Sequence, residues 1–481
     1  MPRNFFDELQ SDRFLKDAAK LIMSPSIDST ELITMQSKLQ KYLDSHDSIS
    51  ERTKRAIRKT INEINTHLEP ITDMDVDMTA IECLIQIPSP IDLTHMKAMP
   101  AGGEEDQKMR LTHMAELVST HAAVPVTTTD ELELSAQWQQ LFKLIDLGKM
   151  HLALALLEHM AAKDPILQLI LTVHPLEYIQ SLINYSIEAQ SKGFKKLNSD
   201  ILITPKTFEL LIKDLATSLC HRSPLYFSFG LPSHHAFNSM GSGFCLLNKT
   251  AILMKNAELT HSKPLRYIII GTDVNRDNGL CDVLRSSLSH LDTTHIDVFD
   301  SRVYPGQDFE DINSEFSRKP KELSKGIREW RHERMHYFAV DLALETRTKA
   351  TNIHPALIFS LRQLHEQIEQ AQAEKQQIML FLPTGWDSHE DETAYCGKLV
   401  DGALMTKADA KKHRFNNEDL VYFYEQVLQL YKTNKESIAG IYWGLEGGYD
   451  RSMYEEQIPL LLATVSSQLK LESAIGTSPI R

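Results

Sequence analysis

An open, mainly parallel α/β sheet flanked by helices in three layers, preceded by a helical N-terminal extension, is the fold this sequence predicts. Beyond residue 220, short apolar strand-like runs alternate with helical stretches, the texture of a parallel sheet covered on both faces. Four of those runs pass directly into polar motifs, as loops at the carboxyl end of a sheet do. Before residue 70, apolar residues recur at three- and four-residue spacing, as in Phe14, Ala18, Leu21 and Ile22, which is the helical period.

Residues 1 to about 70 read as helices on that spacing. Met99 to Glu105 (Met-Pro-Ala-Gly-Gly-Glu-Glu) reads as a boundary or exposed loop, and residues 110 to 190 as further helices rich in Leu, Met and Ala. The first motif-bearing strand, Leu225 to Gly230, runs into Pro232-Ser233-His234-His235. Arg266 to Ile270 runs into Thr272-Asp273-Val274-Asn275, and Ile378 to Leu382 into Gly385-Trp386-Asp387-Ser388-His389. Ile438 to Trp443 runs into Glu446-Gly447-Gly448-Tyr449. Two histidines, two aspartates, an asparagine and a tyrosine meeting in one crevice make a hydrolytic metal centre the leading reading.

The bulk properties narrow the classes. A chain of 481 residues has room for one large domain with an appendage, or for two to three domains. Its 42% hydrophobic and 24% charged residues are those of an ordinary globular protein. The formal net charge of -14 argues against direct nucleic-acid or anionic-membrane binding, since both require a basic face. A basic partner such as a lysine-rich protein tail stays open, beside the plainer use of that charge as a solvated surface. Cys83, Cys220, Cys245, Cys281 and Cys396 are widely spaced with no CxxC pair, which fits a reduced compartment and offers no disulfide or zinc-ribbon framework. The N-terminus lacks the apolar core of a signal peptide, and no apolar run is long enough to span a bilayer. A cytoplasmic location is the default expectation, with export by a non-classical route left open.

Each motif alone has a plain structural alternative. Adjacent imidazoles such as His234 and His235 also cap turns, and the tight turn at Gly241-Ser242-Gly243 carries no P-loop lysine. Asp273, Asn275 and Asp277 alternate along an extended segment and offer oxygen donors for a cation, yet Asp277-Asn278-Gly279 is also a turn signal. Asp387 is one of several acids in its run. Tyr449 after two glycines is the sharpest feature, a phenol presented by bent backbone.

In their order and spacing the motifs resemble the histone deacetylase and acetylpolyamine amidohydrolase family, within the arginase-deacetylase fold. The resemblance runs from about Leu171 to Tyr449. It rests on the His174-to-Tyr178 segment, Pro232-Ser233-His234-His235-Ala236, Gly243-Phe244-Cys245-Leu246-Leu247-Asn248, Tyr304-Pro305-Gly306, Gly385-Trp386-Asp387-Ser388-His389 and Leu445-Glu446-Gly447-Gly448-Tyr449. The helical spacing gives a helical N-terminal region, taken as residues 1–95, and the resemblance implies a deacetylase-like catalytic domain at 96–475. It also implies removal of acyl groups from lysine side chains of proteins, or from polyamines, by a metal-activated water. Carried over, Asp273, Asn275 and Asp387 fall at the metal positions, and zinc is the implied ion. His235 is the general base assisted by His234, Tyr449 donates to the developing oxyanion, and Phe244 and Tyr304 flank the substrate tunnel. Asn278 is the expected partner of His235.

Two departures fall at the metal. Asn275 stands where the family has a histidine ligand, so another divalent metal is admissible, because an amide oxygen suits harder cations. Gly271 stands where the family has the aspartate that orients the first histidine. Three repairs are conceivable: ligation by the Asn275 oxygen, recruitment of Asp277 in an Asp-x-Asn-x-Asp set resembling the manganese motif of arginases, or replacement of the missing charge by Asp297. A rival metal motif, His332-Glu333-Arg334-Met335-His336, matches the zincin pattern but leads straight into a strand-like run, Tyr337 to Leu342, and is read as coincidence. Two readings from other classes stay open. One is a catalytically silent member that binds acylated protein or another partner; the other is an interaction module in the N-terminal helices.

Overall fold

The computed structural model describes residues 82–89, 107–198, 201–347, 352–392 and 399–469, with residues 39, 54, 55 and 57 of the N-terminal region. Apart from those four residues, the helices expected at 1–70 and the loop expected at 99–105 lie outside the described residues. Twelve strands are described, β1 (Cys83–Ile87), β2 (Val126–Thr128), β3 (Lys195–Lys196), β4 (Leu202–Ile203), β5 (Leu225–Ser228) and β6 (Leu265–Gly271) in the first half. The second half contributes β7 (Thr293–Phe299), β8 (Lys321–Ser324), β9 (Ile327–His332), β10 (Met335–Asp341), β11 (Gln377–Thr384) and β12 (Ile438–Leu445).

Ten strands form one sheet in the order β2-β1-β5-β12-β11-β6-β7-β10-β9-β8. All neighbours from β2 to β10 pair in parallel, and only β9 and β8 add antiparallel at one edge. The four strands that carry the motifs, β5, β12, β11 and β6, are consecutive, so their loops emerge side by side at one end of the sheet. β1 precedes residue 96, so the sheet takes a strand from the first 95 residues.

Alternation along these strands sorts their side chains onto two cores. On β6, Tyr267 and Ile269 join one apolar cluster while Ile268 and Ile270 join the other. Helices such as Leu176–Ala189 and Thr207–Cys220 cover the first face, and Pro355–Ala373, Asn417–Thr433 and Arg451–Leu469 the second, giving three layers. Strands buried on both faces are near-continuous apolar runs, which is why these segments stand out in the sequence.

The His-Glu-x-x-His segment straddles the β9–β10 hairpin, with His332 ending one strand and His336 in the next, so the helix turn a zincin needs is absent there. Among the described residues no single helix is long and apolar enough to cross a membrane. Pro165–Leu171 and Leu176–Ala189 reach that length only together, are bent by 111°, and bury Ile166, Ile170, Ile179 and Leu182 in the core.

Candidate active site

The crevice is built loop by loop. After β5 the chain turns through His234 and His235, and the segment that follows is tied to the entry of the Leu176–Ala189 helix. His174 Nδ1 bonds Asn238 O at 2.8 Å, the Asn248 N–H donates to His174 Nε2 at 2.9 Å, and the Tyr178 hydroxyl donates to Leu246 O at 2.8 Å. Asn248 then caps the helix Lys249–Thr260. The glycine turn within this segment packs on a catalytic candidate: a Cβ on Gly243, whose φ is +49°, would lie 2.3 Å from His235 Cδ2. Phe244 follows with φ 67°, a left-handed conformation that costs a phenylalanine about 1–3 kcal/mol and persists only where the surroundings enforce it.

The imidazoles of His234 and His235 lie 3.9 Å apart, centroid to centroid, and both are buried. His234 Nδ1 meets Asp277 Oδ1 at 2.8 Å, and its Nε2 lies 3.9 Å from Asp273 Oδ2. His235 Nδ1 meets Asn278 Oδ1 at 2.7 Å. These environments drive the two rings apart. Burial opposes charge on His234, but Asp273, Asp277 and Glu446 outweigh it and push the imidazole up to about 10. Burial, and then the charge on His234, hold His235 well below the usual histidine range. Neighbouring groups pushed in opposite directions are the arrangement from which acid and base roles divide.

Asp273 and Asp387 converge beneath the backbone of two glycines. A Cβ on Gly447 would come within 1.9 Å of Asp387 Oδ2 and 2.6 Å of Asp273 Oδ2, and one on Gly385 within 1.9 Å of Asp273 Oδ2 and 2.4 Å of Asp387 Oδ1. Only residues without a side chain let both carboxylates sit this close. The Gly447 N–H donates to Asp273 Oδ2 at 2.8 Å and the Val274 N–H to Asp387 Oδ1 at 3.2 Å. Asp387 Oδ2 is buried and has no hydrogen-bond partner among the described residues. Burial, followed by the charge of Asp273, lifts the Asp387 carboxyl well above its ordinary value; burial likewise raises Asp273. Two crowded, water-poor carboxylates with an orphaned oxygen fit a divalent cation, whose charge would relieve both penalties. The third position is weaker. The Asn275 side-chain N–H donates to Tyr304 O at 2.7 Å, leaving the amide oxygen as its cation donor.

Trp386 anchors the Asp387 turn from below. Its indole is buried against Phe229 and Trp443 and donates to the Tyr424 hydroxyl at 3.0 Å. Each aromatic pair of this kind contributes about 0.5–1.5 kcal/mol beyond its buried area.

Asp277 and Asp297 are placed differently from the sequence-derived repairs. Asp277 faces two imidazoles, with His234 on Oδ1 and His295 Nε2 on Oδ2 at 3.0 Å, rather than joining Asp273 and Asn275. Asp297 does not take up the first histidine. It accepts the Asp277 N–H at 3.2 Å on each oxygen and the Tyr337 hydroxyl at 2.6 Å. Two groups of ionisable side chains, His234 with Cys245 and Glu446, and Asp277 with His295 and Asp297, have donor atoms within 4.8 Å of one another. Hydrogen bonds from Ser233 and from the histidines already engage their carboxylates.

Tyr449 closes the crevice. Its backbone N–H and that of Asp450 donate to Glu392 Oε2 at 2.8 and 3.0 Å. Burial pushes the phenol well above its ordinary range, which keeps its proton available to donate. Phe244 meets the Tyr449 ring edge-on at 5.8 Å, and Tyr304 meets His235 edge-on at 5.2 Å, so the two tunnel candidates flank the two reactive candidates. Arg110, on the helix Gln107–His121, escaped the sequence reading. It donates to Gly448 O at 2.7 Å, Glu446 O at 2.8 Å and Gly447 O at 3.2 Å, with its guanidinium 4.9 Å from the Tyr449 ring centre. No local pattern marks it, because its partners are more than 330 residues away.

An open α/β sheet with carboxylates, an imidazole pair and a phenol at its carboxyl end defines a hydrolase-type crevice. The histone deacetylase domain family matches residues 135–465, and the chain belongs to that family. An uncharacterized protein of Synechocystis sp. (strain ATCC 27184 / PCC 6803 / Kazusa) is 30% identical over 117 residues, spanning 23% of this chain and 37% of the relative's length. Two solved structures are similar at low identity. The HDA15 HD domain is 14% identical, with a TM-score of 0.48, covering 82% of this chain and 91% of that one. The acetylpolyamine aminohydrolase from Burkholderia pseudomallei is 13% identical, with a TM-score of 0.48, covering 80% and 99%.

Proposed function

We propose that this protein is a metal-dependent amidohydrolase that removes acyl groups from lysine side chains of proteins, or from polyamines, in the crevice at the carboxyl ends of β5, β6, β11 and β12. The observation that carries the reading is the gathering of Asp273 and Asp387, the His234–His235 pair and Tyr449, from four separate loops, in one crevice. Asp273 and Asp387 hold the cation, with the Asn275 amide oxygen as a weaker third donor. Zinc is the first candidate, and the oxygen-rich set also admits a harder divalent metal. Such a cation supplies polarisation of the acyl oxygen and acidification of water.

The chain's own groups do the rest. His235, held neutral and oriented by Asn278, takes a proton from the attacking water at Nε2. His234, oriented by Asp277, assists beside the reacting centre. The Tyr449 hydroxyl donates to the carbonyl oxygen as it becomes an oxyanion. Phe244 and Tyr304 line the aliphatic stem and keep water from it. The catalytic unit extends over 96–475, with β1 completing its sheet. Acetate release from an acetyl-lysine peptide tests the reading, and Tyr449→Phe is expected to lower kcat about 10²–10³-fold. Equal turnover by the variant counts against it.

One observation favours a second reading, a silent family member that binds acylated protein. The Asn275 side-chain N–H is bonded to Tyr304 O, so the third metal position doubles as a loop tether and leaves only a neutral amide oxygen for a cation.

A further inference from the structure

Gly271 ends β6, and a Cβ built on it would lie 2.2 Å from Asp277 Oδ2 and 3.0 Å from Asp277 Cγ. The space that any side chain at 271 requires is therefore filled by the carboxylate of Asp277, six residues later. That carboxylate is fully buried and saturated. Its Oδ1 receives His234 Nδ1 at 2.8 Å and its Oδ2 receives His295 Nε2 at 3.0 Å. Its main chain is also fixed: the Asp277 N–H is shared by both oxygens of Asp297, which Tyr337 holds at 2.6 Å. Arg276 packs on the same tyrosine, donating from Nε at 3.0 Å, and is itself paired with Glu315 at 2.7 Å. The segment 276–278 is thus anchored on both sides, and Leu280 N–H donates to His234 O at 2.8 Å, which ties the histidine loop to the same helix start.

We propose that Asp277 is the positioning residue for His234, and that positions 271 and 277 form an exchangeable pair. A single carboxylate, supplied from the start of the helix Asn278–Ser286 instead of the end of β6, occupies one volume and orients one imidazole. With Nδ1 donating to Asp277, the ring's orientation is set and Nε2 is turned toward Asp273. His295 holds the second oxygen, so the carboxylate cannot swing away. The chain's glycine at 271 is then a consequence of the aspartate at 277 and not a lesion. The assignment of a catalytic consequence rests on the amidohydrolase reading; the orientation of His234 does not.

The experiment separates the two. In protein labelled with ¹⁵N-histidine, His234 Nδ1 is expected to carry a proton with a far-downfield resonance, assigned by its loss in His234→Gln. An unprotonated Nδ1 in the unaltered protein overturns the proposal even if no variant folds. The resonance is expected to move upfield in the isosteric Asp277→Asn, whose neutral amide oxygen is the weaker acceptor, and to return downfield in Gly271→Asp/Asp277→Gly. Gly271→Asp alone is expected to lower the melting temperature, because two carboxylates then compete for one volume. A resonance unchanged in Asp277→Asn, or one not restored in a folded double variant, overturns the exchange. In turnover, Asp277→Asn is expected to lose about 10–100-fold in kcat with KM little changed, and the double variant to regain it. If the resonances behave as stated while the unaltered protein releases no acetate, the positioning stands and the amidohydrolase reading fails.

Discussion

Arg110 lies outside the segment matched to the family, yet its side chain is one of the few fixtures of the Tyr449 loop. Arg110→Met removes the guanidinium while keeping most of the packing volume. Three buried carbonyls, at 446, 447 and 448, then lose a charged donor. Each such bond contributes roughly 1.5–3 kcal/mol, and bonds that share one side chain are not additive. Relief from burying the charge offsets part of the loss, so the expected destabilisation is about 2–4 kcal/mol. The catalytic effect follows from geometry, since a displacement of about 1 Å at a reacting group costs roughly 10²-fold. Arg110→Lys is expected to fall between, because an ammonium reaches fewer carbonyls than a guanidinium fork. Thermal melts and steady-state kinetics on an acetyl-lysine peptide read both quantities. A kcat within about twofold of the unaltered protein in Arg110→Met would refute the claim that this helix positions Tyr449.

Two further outcomes are expected. Asn275→His introduces a better ligand for zinc and frees Tyr304 O, so zinc affinity is expected to rise at least about tenfold, measured by competition with a chelator; no change would mean that position 275 does not face the cation. Buried neutral histidines contribute to the loss of stability in acid. Burial, only partly offset by the Asn238 carbonyl, lowers His174 to about 4, and burial together with Arg347 and His413 lowers His354 to about 3. Their folded values lie below the unfolded value of 6.5, so the unfolded chain binds protons first as pH falls. Stability is full above about 6.5 and is lost toward pH 4, with about 3 kcal/mol from His174 alone at about 1.4 kcal/mol per unit. Melting temperature followed from pH 7 to 4.5 is expected to fall less steeply in His174→Gln than in the unaltered protein; parallel slopes would contradict this.

The parts of the fold that were legible are those written in continuous apolar runs. Leu225 to Ser228, Leu265 to Gly271, Gln377 to Thr384 and Ile438 to Leu445 announce themselves because both faces are buried, and the polar residues that follow mark the end at which their loops gather. β1, Cys83 to Ile87, is interrupted by the polar Gln86 and runs into Pro88-Ser89-Pro90 instead of a chemistry-bearing motif, so it did not stand out. Within the crevice, partners that the resemblance pairs were easier to read than partners it does not. The resemblance sets His235 beside Asn278, and the two are 2.7 Å apart. What holds His234 was not readable. The sequence reading offers Asp297 as the replacement for the charge missing at Gly271 and assigns Asp277 to the metal, whereas Asp277 is the carboxylate on His234. Which of the two takes the imidazole depends on His295 and Tyr337, which come from β7 and β10 and meet only in the folded sheet. Arg110 is the extreme case, a buried cation whose partners are set wholly by packing of its helix on Arg451–Leu469.

The most direct test of the metal-centre reading is the metal content of the purified protein beside that of Asp387→Ala. Near-stoichiometric zinc or another divalent transition metal, lost in the variant, is the predicted result. Absence of bound metal in the unaltered protein, even after incubation with excess zinc, would contradict the account and leave the crevice as a binding site without hydrolysis.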